Sequence, residues 1–147
     1  NFEGAFDAAV GSYLPEYMGL TFEEMCKQYL LRYADGLPFP IAEIGEWWGT
    51  HPVRKQQSQL DIVAVAPKAG NEPAGRRFVI GSCKYKSEAV GVDELALIKD
   101  YASVFASARD ECGYWMFSKS GFTEALLERQ SSGEVRLVTL EEMYRRP

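Results

Sequence analysis

The chain has 147 residues, 46% hydrophobic, 25% charged and 13% aromatic, which is enough for one domain with its own core. A formal net charge of −5 counts against a general DNA coat, whose affinity rests on neutralising phosphates, although it leaves room for a local basic groove. No apolar run approaches the roughly 20 residues that cross a bilayer, so no membrane partner is expected.

Residues 1 to 20 read as a helical lead-in interrupted by Pro15, ahead of one domain over 21–147. LTFEEMCKQYLLRYA is the first clear helix. Thr21 and Glu24 have capping-box spacing. Phe22, Cys26, Tyr29, Leu30 and Tyr33 recur as one apolar face, and Glu23 and Glu24 suit the positive end of the helix dipole. Gly36 and Pro38 stop the helix. IAEIGEWWG is a first strand and QLDIVAVA a second, with the turn-rich PKAGNEPAGR leading to a third, RFVIGSCKY. GVDELALIKDYASVFASA is a second helix with Leu95, Ile98, Tyr101, Ala102 and Phe105 on one side. GYWMFS is a short apolar strand of the kind covered on both faces. GFTEALLERQ is a third helix, capped by Ser120 or Thr123, EVRLVTL a fifth strand, and LEEMYRR a terminal helical turn. The order α-β-β-β-α-β-α-β-α predicts an α/β fold: a mixed central β-sheet flanked by helices on both faces.

The second and third strands should form a hairpin whose opposed positions sum to about 143. Val65 then faces Phe78, Val63 faces Ile80, Asp61 faces Ser82, and Gln59 faces Lys84. Alternation puts all eight side chains on one face, apolar near the loop and polar at the open end. Asp61, Ser82 and Lys84 could there cradle a hydrated divalent cation and a phosphate. The plainer reading is an Asp61–Lys84 ion pair at the rim.

Other residues carry less. The single histidine, His51, excludes a His-rich metal centre and reads as a loop residue before Pro52. Cys26, Cys83 and Cys112 are widely spaced, as in a reduced, cytoplasmic chain. Cys83 falls on the opposite strand face from Lys84 and reads as a small buried hydrophobe. Trp47 and Trp48 point to opposite faces, one toward a core and one free to pack or to stack on a base. Arg54, Lys55, Arg76, Arg77, Lys84, Lys86 and Lys119 fall on loops or strand ends, as phosphate contacts or as ordinary surface.

The ordered set FEEMCKQYL, IGEWWG, QLDIVAV, IGSCKYK and YWMFSKSGFTEAL resembles the C-terminal domain of archaeal and bacterial DEXX-box (P-loop) ATPases. That domain has the restriction-endonuclease-like, PD-(D/E)XK, fold. The resemblance implies a C-terminal fragment of a longer ATPase, consistent with a chain that opens on Asn1, and an N-terminal ATPase module as partner. It implies Asp61, Lys84 and Glu23 as catalytic residues, with Asp61 and Glu23 holding Mg²⁺ or Mn²⁺ in a competent site. Lys84, Lys86 and Lys119 would contact DNA. Ser82 stands where the pattern has the glutamate of E-x-K, and Gln59 stands where the family often has an acid. Both departures deplete the site of charge, and Glu46 and Glu88 are the candidates to replace what is missing. Three functions follow: a degenerate module that binds or positions DNA for the ATPase, an active Mg²⁺-dependent DNA endonuclease, or a protein-interaction or regulatory domain.

Overall fold

The computed structural model describes residues 20–33, 41, 43–50, 57–67 and 75–145. The expected lead-in before Leu20, the expected helix stop at Gly36 and Pro38, and the positions of His51, Arg54 and Lys55 lie outside them. The elements are α1 (Phe22–Tyr33), β1 (Glu43–Thr50), β2 (Gln57–Val65), β3 (Arg77–Lys84), α2 (Val92–Ala102), β4 (Glu111–Ser118), α3 (Glu124–Ser131), β5 (Arg136–Thr139) and α4 (Leu140–Arg145). The strands form one sheet in the order β1-β2-β3-β4-β5. β1–β2 and β2–β3 are antiparallel, and β3–β4 and β4–β5 are parallel. The expected mixed sheet is therefore present, with β3 in the middle.

Each helix is placed by its apolar stripe. α1 begins at a capping box: the Thr21 N–H donates to Glu24 Oε1 at 3.2 Å, and the Glu24 N–H donates to Thr21 Oγ1 at 3.2 Å. It buries Met25, Cys26, Tyr29 and Leu30, and Met25 widens the face expected from the sequence. These side chains join Ile62, Val79 and Phe117 of the sheet and Met143 and Tyr144 of α4 in one core layer. On the other face α2 contributes Leu95, Ile98 and Ala102, and α3 contributes Leu126, against Phe78, Ile80 and Met116. β3 is covered on both faces, which is why Phe78 to Ser82 are all buried.

α2 ends at Ala102, short of its expected end. The Ser103 N–H reaches the carbonyls of both Lys99 and Asp100, which tightens the last turn. Phe105, beyond that turn, packs against Trp47 and Phe78 with centroids 5.1 and 5.3 Å apart. α3 is capped by Thr123, whose Oγ1 accepts the Leu126 N–H at 3.3 Å. Just before it Gly121, at φ 85°, turns the chain, and its carbonyl accepts the Val90 N–H at 2.9 Å. This bond ties the 85–91 connection to the start of α3, and so fixes where α2 begins. No helix among the described residues is long and apolar enough to cross a membrane.

Candidate active site at a fork in the sheet

β2 and β3 separate at one end. They pair through Val65–Phe78, Ala64–Val79, Val63–Ile80 and Ile62–Gly81, and there the pairing stops. Gly81 suits that last pair, since a Cβ on it would stand 3.0 Å from Ile62 Cβ. Beyond it β2 stays with β1, through Trp47–Leu60 and Trp48–Gln59. β3 stays with β4, through Ser82–Met116, Cys83–Phe117 and Lys84–Ser118. The expected pairs Val65–Phe78 and Val63–Ile80 are present. The expected oppositions of Asp61 to Ser82 and Gln59 to Lys84 are not.

A β-bulge accounts for the difference. Between the pairs Gly45–Val63 and Trp47–Leu60, β1 has one residue, Glu46, while β2 has two, Asp61 and Ile62. An extra residue bends a strand and reverses its alternation. Ile62 accordingly packs with the α1 layer and Leu60 with the α2 layer. Asp61 sits at the reversal, in the mouth of the fork. Its Oδ2 accepts the Cys83 N–H at 2.8 Å, so a side chain replaces a ladder bond that the diverging strands no longer make.

The fork holds a pocket of about 230 Å³, bordered by Gln59, Asp61, Ser82, Lys84 and Glu94. Ser82 is 2% exposed and donates its hydroxyl to Glu94 Oε2 at 2.7 Å. Lys84 Nζ lies 3.5 Å from the same oxygen. The rim ion pair of Lys84 is thus with Glu94. Among the described residues the carboxylate that meets Ser82 is that of Glu94 on α2, and neither Glu46 nor Glu88 borders the pocket. Glu94 escaped the sequence reading because the crossover after β3 sets the angle at which α2 returns over the sheet. One signal was present: Leu95 and Ile98 fix the buried side of α2, and Glu94, one turn before Ile98, borders it.

The electrostatics tie these groups together. Burial raises the pKa of Asp61 above the ordinary carboxylate range; the Cys83 N–H and the Lys84 charge oppose this, and the charges of Glu94 and Glu46 add to it. Glu23, in the first turn of α1, is also raised, chiefly by burial and then by the charges of Asp61 and Glu46, with Lys27 and Lys84 opposing. Glu23 and Asp61 thus share one field. Glu46 is exposed and lies 3.8 Å from Lys27, and Glu88 is exposed in the connection after β3.

The lysines expected to meet nucleic acid gather at one corner. Lys119 donates its N–H to the Lys84 carbonyl at 3.0 Å and holds its Nζ 4.6 Å from the Tyr85 ring centroid. Lys86 is exposed, and its carbonyl accepts the Ser120 hydroxyl at 2.5 Å. Arg76 and Arg77 stand at the opposite end of β3, where Arg76 pairs with Asp110 at 3.3 Å. Trp47 is packed against Phe105, whereas Trp48 is 56% exposed. Cys83 is half-buried and faces the buried Cys26, whose thiol burial pushes well above its ordinary pKa.

Among the described residues no group of three or more His, Cys, Asp and Glu side chains is arranged to hold a metal ion. Two carboxylates, Asp61 and Glu94, border the pocket beside a hydroxyl. An all-oxygen set with one or two carboxylates suits Mg²⁺ or Mn²⁺, which complete their shells with water and substrate oxygens.

The sequence profile of one protein family matches residues 2–95, which include Asp61, Ser82, Lys84 and Glu94. The chain belongs to DUF234, archaeal and bacterial proteins of unknown function. No curated protein matches this DUF234 chain. Among solved structures, it is similar to the DNA modification-dependent restriction endonuclease AspBHI, with a TM-score of 0.50 and 15% identity, over 97% of this chain and 33% of that one. A protein of unknown function, AF1548, aligns with a TM-score of 0.45 and 14% identity, over 80% of this chain and 57% of that one. The DUF234 chain thus spans about a third of the endonuclease and little over half of AF1548. The likeness to the endonuclease shows a restriction-endonuclease-like fold.

Proposed function

We propose that this domain is a metal-dependent DNA phosphodiesterase and, as the sequence resemblance implies, the C-terminal module of a longer P-loop ATPase. The observation that carries the reading is Glu94, whose carboxylate meets Ser82 and Lys84 at the position where the sequence lacks an acid. Asp61 and Glu94 would hold Mg²⁺ or Mn²⁺, with Glu23 adding negative charge from α1. When bound, the ion supplies an acidified water and neutralises phosphate charge. Lys84 offers a cation to the charge that builds on the phosphorus oxygens. Ser82 fixes the Glu94 carboxylate, and the Cys83 N–H fixes that of Asp61. Lys86 and Lys119 would take the flanking phosphates.

A second reading, a depleted module that holds DNA without cutting it, is favoured by the lack of a three-acid cluster among the described residues. One assay separates the two: cleavage of linear and branched DNA in Mn²⁺ by the native domain, Asp61→Asn and Ser82→Glu. The enzyme reading expects native cleavage, its loss in Asp61→Asn, and impairment in Ser82→Glu, where a second carboxylate would crowd Glu94. Cleavage that appears only in Ser82→Glu would instead establish a depleted site.

A further inference from the structure

The fork pocket has a second end. Past Glu94 its wall is Leu97, Ile98 and Tyr101 on α2, facing Leu60 of the β1–β2 arm. Positions 94, 98 and 101 are one and two turns apart, so the acid and the apolar wall form one stripe of the helix. Leu60 and Ile98 are buried, while Leu97 and Tyr101 are half-exposed. The Tyr101 hydroxyl has no hydrogen-bond partner among the described residues, and its ring packs beside the core. A mostly polar cavity whose wall on this side is apolar and aromatic, with an unused hydroxyl and a cluster of carboxylates and a lysine beside it, has the chemistry of a nucleotide subsite.

We infer that this end of the pocket receives the nucleoside of an unpaired nucleotide whose phosphate lies at Asp61, Lys84 and Glu94. The inference rests on the phosphodiesterase reading and adds a substrate class to it. A nucleoside attached to the phosphate is the group nearest this wall. A base held in a duplex stack cannot enter a pocket between a helix and a strand, because entry requires that it leave the stack. The Tyr101 ring offers a face for the base, a contact that tolerates any sequence. The substrate is therefore single-stranded DNA or the unpaired strand of a flap.

The test uses fluorescence anisotropy of labelled single-stranded and fully paired DNA in Ca²⁺, so that no cleavage is needed. The native domain should prefer the single strand. Tyr101→Ala should weaken single-strand binding about tenfold and leave duplex binding alone, since a stacked base is lost. Tyr101→Phe, which keeps the ring, should retain most of the preference. Leu97→Trp, which fills the pocket without hollowing the core, should abolish it. Thermal melting of each variant separates lost binding from lost folding. Equal native affinity for both forms, or a preference that survives Leu97→Trp, overturns the subsite and leaves the phosphodiesterase reading standing. Failure of the native domain to bind either form overturns both.

Discussion

Replacing Glu94 by glutamine removes one charge and little else. The side chain keeps its length, and the new amide oxygen can still accept the Ser82 hydroxyl. The charge 3.5 Å from Lys84 Nζ disappears. For folding this is a small loss. Glu94 is 17% and Lys84 35% exposed, so the pair is partly solvated and worth about 1 kcal/mol or less. A domain of this size should melt roughly 3 °C lower for such a change. For a bound divalent cation the loss is larger. At an effective dielectric near 20, two unit charges about 4 Å apart attract by about 4 kcal/mol and a divalent ion doubles this; with about half lost to desolvation of the carboxylate, about 4 kcal/mol remains, which corresponds to roughly a thousandfold. Glu94→Gln should therefore lower Mn²⁺-dependent cleavage by about three orders of magnitude while barely moving the melting temperature. Cleavage rates measured across a Mn²⁺ titration, beside a thermal melt, read both quantities. Native-like cleavage by Glu94→Gln at low Mn²⁺ would refute the role given to this carboxylate and leave Glu94 as a tether for Ser82 and Lys84.

Asp61 carries a pH signature. Its pKa is raised by burial, so the folded chain binds that proton more tightly than the unfolded chain does. The resulting stability is fully present below the unfolded pKa, and it is lost as pH rises through the folded pKa. Asp61→Asn should consequently melt above the native domain at neutral pH, with the gain shrinking as the solution is acidified toward the ordinary carboxylate value of about 3.9. Glu23→Gln should follow the same direction, because its pKa is raised for the same first cause. Leu95 is 1% exposed under the first turn of α2, and Leu95→Ala should cost about 3 kcal/mol in urea unfolding through the cavity it leaves. Thr123→Ala removes the oxygen that receives the Leu126 N–H and should cost about 1 kcal/mol in the same measurement.

The elements that were legible in the sequence are those set by local chemistry. The capping box at Thr21 and Glu24, the cap at Thr123 and the opposed directions of Trp47 and Trp48 follow from spacing over a few residues. So does the inner half of the β2–β3 register, because strand ends near Ala66 and Arg77 oppose apolar Val65 and Val63 to apolar Phe78 and Ile80. Legibility ends where two distant segments decide the outcome. The bulge at Asp61 and Ile62 depends on how β1 and β2 share their length across Glu46, and nothing local to QLDIV announces it. Glu94 depends on the path of the chain after β3, which the Val90–Gly121 bond fixes. Asp61 and Lys84 were thus found from the hairpin, while the carboxylate that joins them came from a helix whose angle no periodicity encodes.

The bulge also makes the site respond differently to two kinds of genetic change. A point substitution at Asp61 removes one carboxylate and leaves every other side chain on its face. Loss of a single residue at Asp61 or Ile62 would restore one-to-one pairing with β1 across Glu46. Every residue of β2 on one side of the join would then exchange faces, sending Leu60 out of its core layer or Ile62 out of the other. The extra residue therefore acts as a register lock. The number of residues between Gly45 and Trp47, and between Leu60 and Val63, is therefore as much a part of the site as the carboxylate of Asp61.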